Sequence, residues 1–263
     1  MEESATLAGT LINGREMRRF WSMGGALLLS LLLAVLLAAR PAEAEPRIKV
    51  SGCDVYATNQ VDPIAFSDHV HNQFGNTTTT NNSTGRSLVS ANKTSCKEPW
   101  FTSAGWFPVA QGVPLVSKNQ VAVYYRAPGD QREVRNIPTG LGIIANDAII
   151  KGGGNRVTMT FPDCWDQGRL RPANMVMSRN GMCPSTHPYR IPRVFYLIRY
   201  NGTVTSQTKV SSGANSWAPF GSEMHADYLA ANQPVLNERL IDLCLRNAPD
   251  NVTVAHPDCG QGP

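Results

Sequence analysis

VFYLIRY, at residues 194–200, is rich in β-branched and aromatic side chains, which favour the pleated backbone of a β-strand. VAVYYR, at residues 121–126, has the same character. Four further segments of this kind are bounded by Gly, Pro or Asn, and no helical pattern of 10 to 15 residues separates them. They lie at residues 47–56, 141–150, 156–161 and 203–210. The spacing predicts a mostly β protein, an antiparallel jelly-roll-like sandwich with long loops.

Two local patterns add detail to this fold. Tyr200-Asn201-Gly202-Thr203 is a hairpin signal, because Asn-Gly readily adopts positive φ in tight turns. Near the end of the chain Leu236, Leu240, Leu243 and Cys244 recur at helical spacing after Pro234. We therefore expect a C-terminal helix that caps the sheets.

Composition limits the function classes. The chain has 263 residues, of which 17% are charged, and its formal net charge is +4. This charge is small and is dispersed along the sequence, so nucleic acid is not an expected partner.

The start of the chain resembles a targeting segment. Arg15, Arg18 and Arg19 precede an apolar run over residues 24–39, and Ala42 and Ala44 supply small residues for cleavage. The pattern predicts a signal peptide at residues 1–44 and a single secreted domain at residues 45–263. The alternative is an uncleaved membrane anchor, although the run is shorter than the ~20 residues that span a bilayer.

All six cysteines follow the predicted cleavage site, and an even number in a secreted chain favours disulfides. Up to three bridges are expected. No C-x-x-C pair is present, and spacing alone leaves the connectivity open. The cysteines are Cys53, Cys96, Cys164, Cys183, Cys244 and Cys259.

Histidines are the most suggestive candidates for chemistry. His69 and His71 form an H-x-H pair whose side chains would share one face of a strand, which suits a metal such as zinc or copper. His187 or His225 would supply a third ligand. The alternative is that these histidines only hydrogen-bond the loop backbone.

Carboxylates and aromatics support a second hypothesis, action on a polysaccharide. A hydrolase would need two carboxyl groups, drawn from Asp62, Asp163, Asp166 and Asp227, although Asp163 and Asp166 would equally suit turns. A lyase would need a His or Tyr base and a cation for a uronate carboxylate, and His69, His225, Tyr228, Tyr189 and Arg190 offer these groups. Trp100, Trp106, Trp165 and Trp217 would stack on sugars or lie in the core.

In order along the chain, several motifs resemble a family of secreted fungal and bacterial proteins called domain of unknown function nineteen-ninety-six. They include Asp62-Pro63-Ile64 followed by His69-Val70-His71, then the segments FPDCWD at residues 161–166 and CPSTHP at residues 183–188. Ser211-Ser212-Gly213 and His225-Ala226-Asp227-Tyr228 complete the series. The resemblance implies a secreted domain in a cell-wall or polysaccharide context, with no settled activity. The chain departs from the family at residues 170–175, LRPANM, and at Ala231-Asn232, so chemistry carried there by relatives would be altered or lost.

Together these observations predict a secreted or cell-envelope protein that acts on or binds a polysaccharide through a cleft lined by His and Asp, as a lyase or hydrolase if it is an enzyme. The alternative is a non-catalytic metal-binding or envelope-interaction protein. The expected catalytic residues are His69, His71, His187, His225 and Asp227, with His69 and His71 as metal ligands. The expected substrate-binding residues are Asp163, Trp165, Asp166, Tyr189, Arg190 and Tyr228.

Overall fold

Two five-stranded antiparallel sheets carry most of the strands in the computed structural model, which describes residues 47–247. The predicted signal peptide and Cys259 lie outside these residues. The strands are β1 (Arg47–Cys53), β2 (Val55–Asn59), β3 (His71–Gly75), β4 (Ala104–Pro108), β5 (Val121–Arg126), β6 (Gly142–Ala145), β7 (Asp147–Lys151), β8 (Arg156–Thr160), β9 (Cys164–Leu170), β10 (Ala173–Val176), β11 (Tyr189–Arg190), β12 (Arg193–Arg199), β13 (Lys209–Ser211), β14 (Trp217–Pro219) and β15 (Ala226–Leu229). The helices are α1 (Gly85–Ala91), α2 (Phe220–Glu223) and α3 (Pro234–Ile241).

The first sheet has the order β1-β5-β12-β8-β7, and the second has the order β2-β3-β4-β15-β6. Two small sheets, β10-β9-β11 and β13-β14, flank them. Every strand pair in the described part of the chain is antiparallel. The predicted mostly β, antiparallel class is therefore confirmed, while the jelly-roll connectivity stays a prediction.

One apolar core joins the two large sheets. The Phe74 ring of the second sheet meets Tyr196 of the first edge-on, with ring centroids 4.9 Å apart. Beside them the Tyr125 and Tyr228 hydroxyls are 2.9 Å apart and share a hydrogen bond, so these buried polar groups satisfy each other. The alternating apolar residues of the strands fill this space, as expected for half-buried strands.

Two segments predicted as single strands are each divided between the sheets. Residues 47–56 form β1 in the first sheet and the start of β2 in the second, with Asp54 alone between them. Residues 141–150 likewise form β6 and most of β7, separated by Asn146. Continuous β propensity does not reveal these corners, because both halves have strand-like residues.

The prediction of a hairpin at residues 200–203 is wrong. Residues 203–208 form no strand, and β13 pairs with β14 instead. The backbone N–H groups of Tyr200, Asn201 and Val204 donate to the carbonyls of Asn155, Pro114 and Gly154 at 2.8 to 2.9 Å. These contacts with distant loops replace the expected ladder.

The C-terminal helix is confirmed, with one change of register. α3 begins at Pro234, and a π-helical turn, Asp242–Arg246, continues it. Since a π turn contains more than 3.6 residues, the buried face moves along the sequence. Leu240, Cys244 and Leu245 are buried in the core, whereas Leu243 is 44% exposed.

The predicted disulfides are also present. Cys53 bonds to Cys96 and Cys164 bonds to Cys183. Cys244 is disulfide-bonded as well. Such bridges are typical of an extracellular or otherwise oxidising environment. None of the helices in residues 47–247 has the length and apolar character needed to cross a membrane.

Candidate functional site: three histidines over a buried aspartate

The candidate site lies on the face of the second sheet that points away from the shared core. Gln73 of β3 pairs with Trp106 of β4, which in turn pairs with Asp227 of β15, so these three side chains share one face. His71 is two residues before Gln73 and points the same way. Phe74 occupies the opposite face and lies in the core.

Gly105 in β4 leaves room for the core aromatic rings that pack against this strand. A Cβ atom on Gly105 would lie 2.3 Å from the Phe74 ring and 2.8 Å from the Tyr196 hydroxyl. Both distances are shorter than real Cβ contacts, so any larger side chain would displace core aromatics. Trp106, the next residue, is thereby held on the site face.

The loop before β3 covers this face and is organised by Asp62. Its carboxylate accepts hydrogen bonds from the backbone N–H groups of Ile64, Ala65 and Ser67 at 3.0 to 3.1 Å, and from the Ser67 hydroxyl at 2.7 Å. Burial raises the pKa of Asp62, but these hydrogen bonds outweigh it and hold the pKa below its usual value. Asp62 is therefore an ionised carboxylate close to His71 and His225.

His69, His71 and His225 converge in front of this surface. Each offers one ring nitrogen such that all three nitrogens lie within 4.8 Å of one another. The Nε2 atoms of His71 and His225 are 3.3 Å apart. His71 is buried, while His69 and His225 are half-buried and bring the cluster towards solvent.

A backbone contact fixes the tautomer of His225. Its Nδ1 atom is 2.8 Å from the carbonyl oxygen of Glu223, so Nδ1 carries the proton and donates it. The Nε2 lone pair therefore faces the other two histidines. Metal-ligating histidines are oriented in this way by a carbonyl behind the ring.

Burial favours the neutral forms of His71 and His225. It lowers the pKa of His71 to about 3, with repulsion from His225 adding to the effect. Burial also lowers the pKa of His225, although the Glu223 carbonyl opposes this. Neutral imidazole is the form that binds metals.

Asp227 lies beside the Nε2 atom of His225. Its Oδ2 atom is 3.6 Å from His225 Nε2, and the side chain is 1% exposed. Burial, and then the charge of Asp62, raise the pKa of Asp227 well above its usual value. The neutral form of Asp227 is thus favoured, and an added cation would favour the carboxylate instead.

Unsatisfied polar atoms concentrate at this site. Within residues 47–247, buried atoms without a hydrogen-bond partner include His69 Nδ1, His71 Nδ1, Gln73 Oε1, Trp106 Nε1 and both oxygens of Asp227. Buried polar groups are normally paired, so such a concentration is typical of a site that holds a ligand. Sequence reasoning missed Gln73, whose only signal was its position two residues after His71 on a strand.

His187, predicted to join this cluster, is not among its members in the described residues. It lies in the loop between Cys183 and β11, where its Nδ1 atom hydrogen-bonds to the Thr186 hydroxyl at 3.0 Å. The structure therefore brings together His69, His71, His225 and Asp227 of the predicted catalytic residues.

Most of the predicted substrate-binding residues lie in or next to the small sheet β10-β9-β11. Asp163 is buried and accepts from Ser178 and Arg193, while Asp166 accepts from Gly168 and Asn174. Trp165 and Tyr189 pack edge-to-face with centroids 5.7 Å apart. Arg190 lines a cavity of about 360 Å³. Tyr228 is in the core between the large sheets.

Comparison with known proteins gives one finding. No curated protein and no solved structure matches the chain. A family model does match residues 150–231, a segment that contains His187, His225 and Asp227. His69 and His71 precede the matched segment. Through this segment the chain resembles the family described as Domain of unknown function (DUF1996).

Proposed function

We propose that the protein is a secreted metal-binding protein whose centre is a divalent transition-metal ion, zinc or copper, held by His69, His71 and His225. The observation that carries the proposal is the separation of 3.3 Å between His71 Nε2 and His225 Nε2. Two nitrogens at about 2.05 Å from a tetrahedral ion lie about 3.3 Å apart. The pair therefore matches the spacing that such an ion requires.

Four further features support this proposal. The Glu223 carbonyl fixes the His225 tautomer that presents Nε2, and neutral histidines do not repel a cation. The ionised Asp62 adds a negative charge close by. Asp227 has both oxygens unpartnered and its Oδ2 atom lies 3.6 Å from His225 Nε2, so its carboxylate form would complete the ligand set.

The metal content of the purified domain, residues 45–263, tests the proposal. After dialysis, elemental mass spectrometry should find one equivalent of zinc or copper per chain. Loss of an outer-shell partner lowers metal affinity by about 10- to 100-fold. Because His225 is a direct ligand, His225→Ala should lower the affinity for the metal by more than this. His187→Ala is the matched control and should keep full occupancy. Metal-free protein, or equal occupancy in the His225→Ala protein, would overturn the proposal.

A second candidate function is binding or cleavage of an extracellular polysaccharide at this centre. Exposed aromatic side chains near the histidines favour it: Phe66, on the loop before His69, is 67% exposed, and Trp217 is 40% exposed. Trp217 pairs with Ser211, whose hydroxyl accepts from the Val70 backbone at 2.8 Å. Exposed rings of this kind stack well on sugars, with one face apolar.

Turnover and binding on a panel of polysaccharides separate the two candidates. Product formation that is lost in His225→Ala supports an enzyme, and binding without product that is weakened in Phe66→Ala and Trp217→Ala supports a binding module. A protein that holds metal but neither binds nor cleaves any polysaccharide in the panel leaves metal binding alone.

A further inference from the structure

The outer face of the first sheet is strongly cationic, although the sequence spreads these charges over 150 residues of chain. Residues that lie opposite each other in neighbouring strands share a face. The register places every basic residue of the five strands on the outer face, together with one acidic residue, Asp147. The basic residues are Arg47, Lys49, Arg126, Lys151, Arg156, Arg193 and Arg199.

Six of these residues form two rows that run across the strands. Arg47, Arg126 and Arg193 lie opposite one another on β1, β5 and β12. A second row, formed by Lys151, Arg156 and Arg199, crosses β7, β8 and β12. The rows are six residues apart on β12, which is about 20 Å along an antiparallel strand.

Like charges in directly opposite positions destabilise a sheet. In the first row Arg193 is neutralised by Asp163, at 3.3 Å. In the second row Lys151, Arg156 and Arg199 form no ion pair with any residue in the described range 47–247. An anionic partner would relieve their repulsion.

Aromatic rings hold part of the first row in place. Tyr124 and Phe195 stack with centroids 4.6 Å apart and planes at 7°. The Arg126 guanidinium lies 4.4 Å above the Phe195 ring, and Arg47 lies 5.7 Å from the Tyr124 ring. These cation–π contacts orient planar guanidinium groups across the face, which suits the two-point recognition of carboxylates.

We propose that this face binds a linear acidic polysaccharide through its uronate carboxylates. Charge complementarity favours a polyanion, and the separation of the two rows favours an extended chain over a small ion. A membrane surface fits less well, because Ile149 is the only large apolar side chain of this sheet that is more than about a third exposed in the described residues. The proposal does not depend on the metal centre, which lies on the other sheet.

Binding to polygalacturonate tests the proposal, with its methyl ester as the uncharged probe and vesicles of anionic phospholipid as the membrane probe. The critical variant is Lys151→Glu/Arg156→Glu, in which both positions are exposed. The matched control is Lys93→Glu/Arg239→Glu, which makes the same change of net charge at exposed positions beside α1 and on α3. Equal unfolding temperatures would show that both variants fold.

The unaltered protein should bind polygalacturonate more weakly as salt is added, and should not bind the methyl ester. Affinity for polygalacturonate should fall at least about tenfold in Lys151→Glu/Arg156→Glu and stay within about twofold in the control. Salt screens charges that lie far from the bound polysaccharide, so only charges on the binding face affect the affinity strongly. The proposal is overturned by no binding, by equal weakening in both variants, or by binding to vesicles alone.

Discussion

His71 should make the metal-free protein sensitive to acid. Burial lowers its folded-state pKa to about 3, whereas histidine in an unfolded chain titrates near about 6.5. Between these values the unfolded state binds a proton that the folded state does not. The contribution of His71 to the free energy of unfolding is therefore fully present above about pH 6.5 and is lost as the pH drops towards about 3.

The magnitude follows from linkage. Between about pH 7.5 and 4.5, a shift of the pKa from about 6.5 to about 3 removes roughly 3 kcal/mol of stability. This is a large share of the about 5 to 15 kcal/mol that stabilises a typical domain. Other groups titrate as well, so the comparison must be made against a variant that lacks the imidazole.

Urea unfolding of the chelator-treated protein, with and without His71→Asn, measures this contribution. The free-energy difference between the two proteins should change by roughly 3 kcal/mol over that pH range, in favour of the variant at acid pH. Asn72→Ala, on the same strand, removes no titrating group and should preserve the pH dependence of the parent. A difference that does not change with pH would refute a buried, neutral His71.

Three further outcomes are expected. Asp62→Asn should lower the free energy of unfolding by about 2 kcal/mol, because the loop amides lose a charged acceptor, and urea curves that match the parent would contradict this. Gly105→Ala should lower the free energy of unfolding by about 1 to 3 kcal/mol, because the added methyl group would clash with the Phe74 ring. Thermal unfolding measures this loss, and an unchanged melting temperature would contradict it. Replacing Cys164 and Cys183 together by Ser should cost about 3 kcal/mol by the chain-entropy relation for a loop of this size, and calorimetry that finds no change would argue against it.

The class of fold could be predicted from sequence, but the strands that carry the site could not. β5, β8 and β12 are rich in β-branched and aromatic residues and match their predicted positions closely. β3, with the sequence HNQFG, and β4, with AGWFP, contain polar residues, Gly and Pro that favour loops. They form strands because neighbours on both sides supply hydrogen bonds and because tertiary burial outweighs weak local propensity.

Likewise, only part of the candidate site could be predicted from the sequence. The H-x-H spacing correctly brings His69 and His71 to one place, since it acts over three residues. The choice between His187 and His225 as the third member depended on which strands are neighbours, and no local pattern contains that information. The pairing of β4 with both β3 and β15 brings His225 into reach.

The one-residue corners at Asp54 and Asn146 have a consequence for how the molecule opens. Each corner joins a strand of one large sheet directly to a strand of the other, so neither sheet can detach without pulling a strand from its partner. Amide hydrogens of β12 and of β4, the central strands of the two large sheets, should therefore exchange with solvent through the same global unfolding event and with equal protection. The chain would then reach its native state slowly, in one cooperative step, because pairs such as β1 with β5 join segments far apart in sequence.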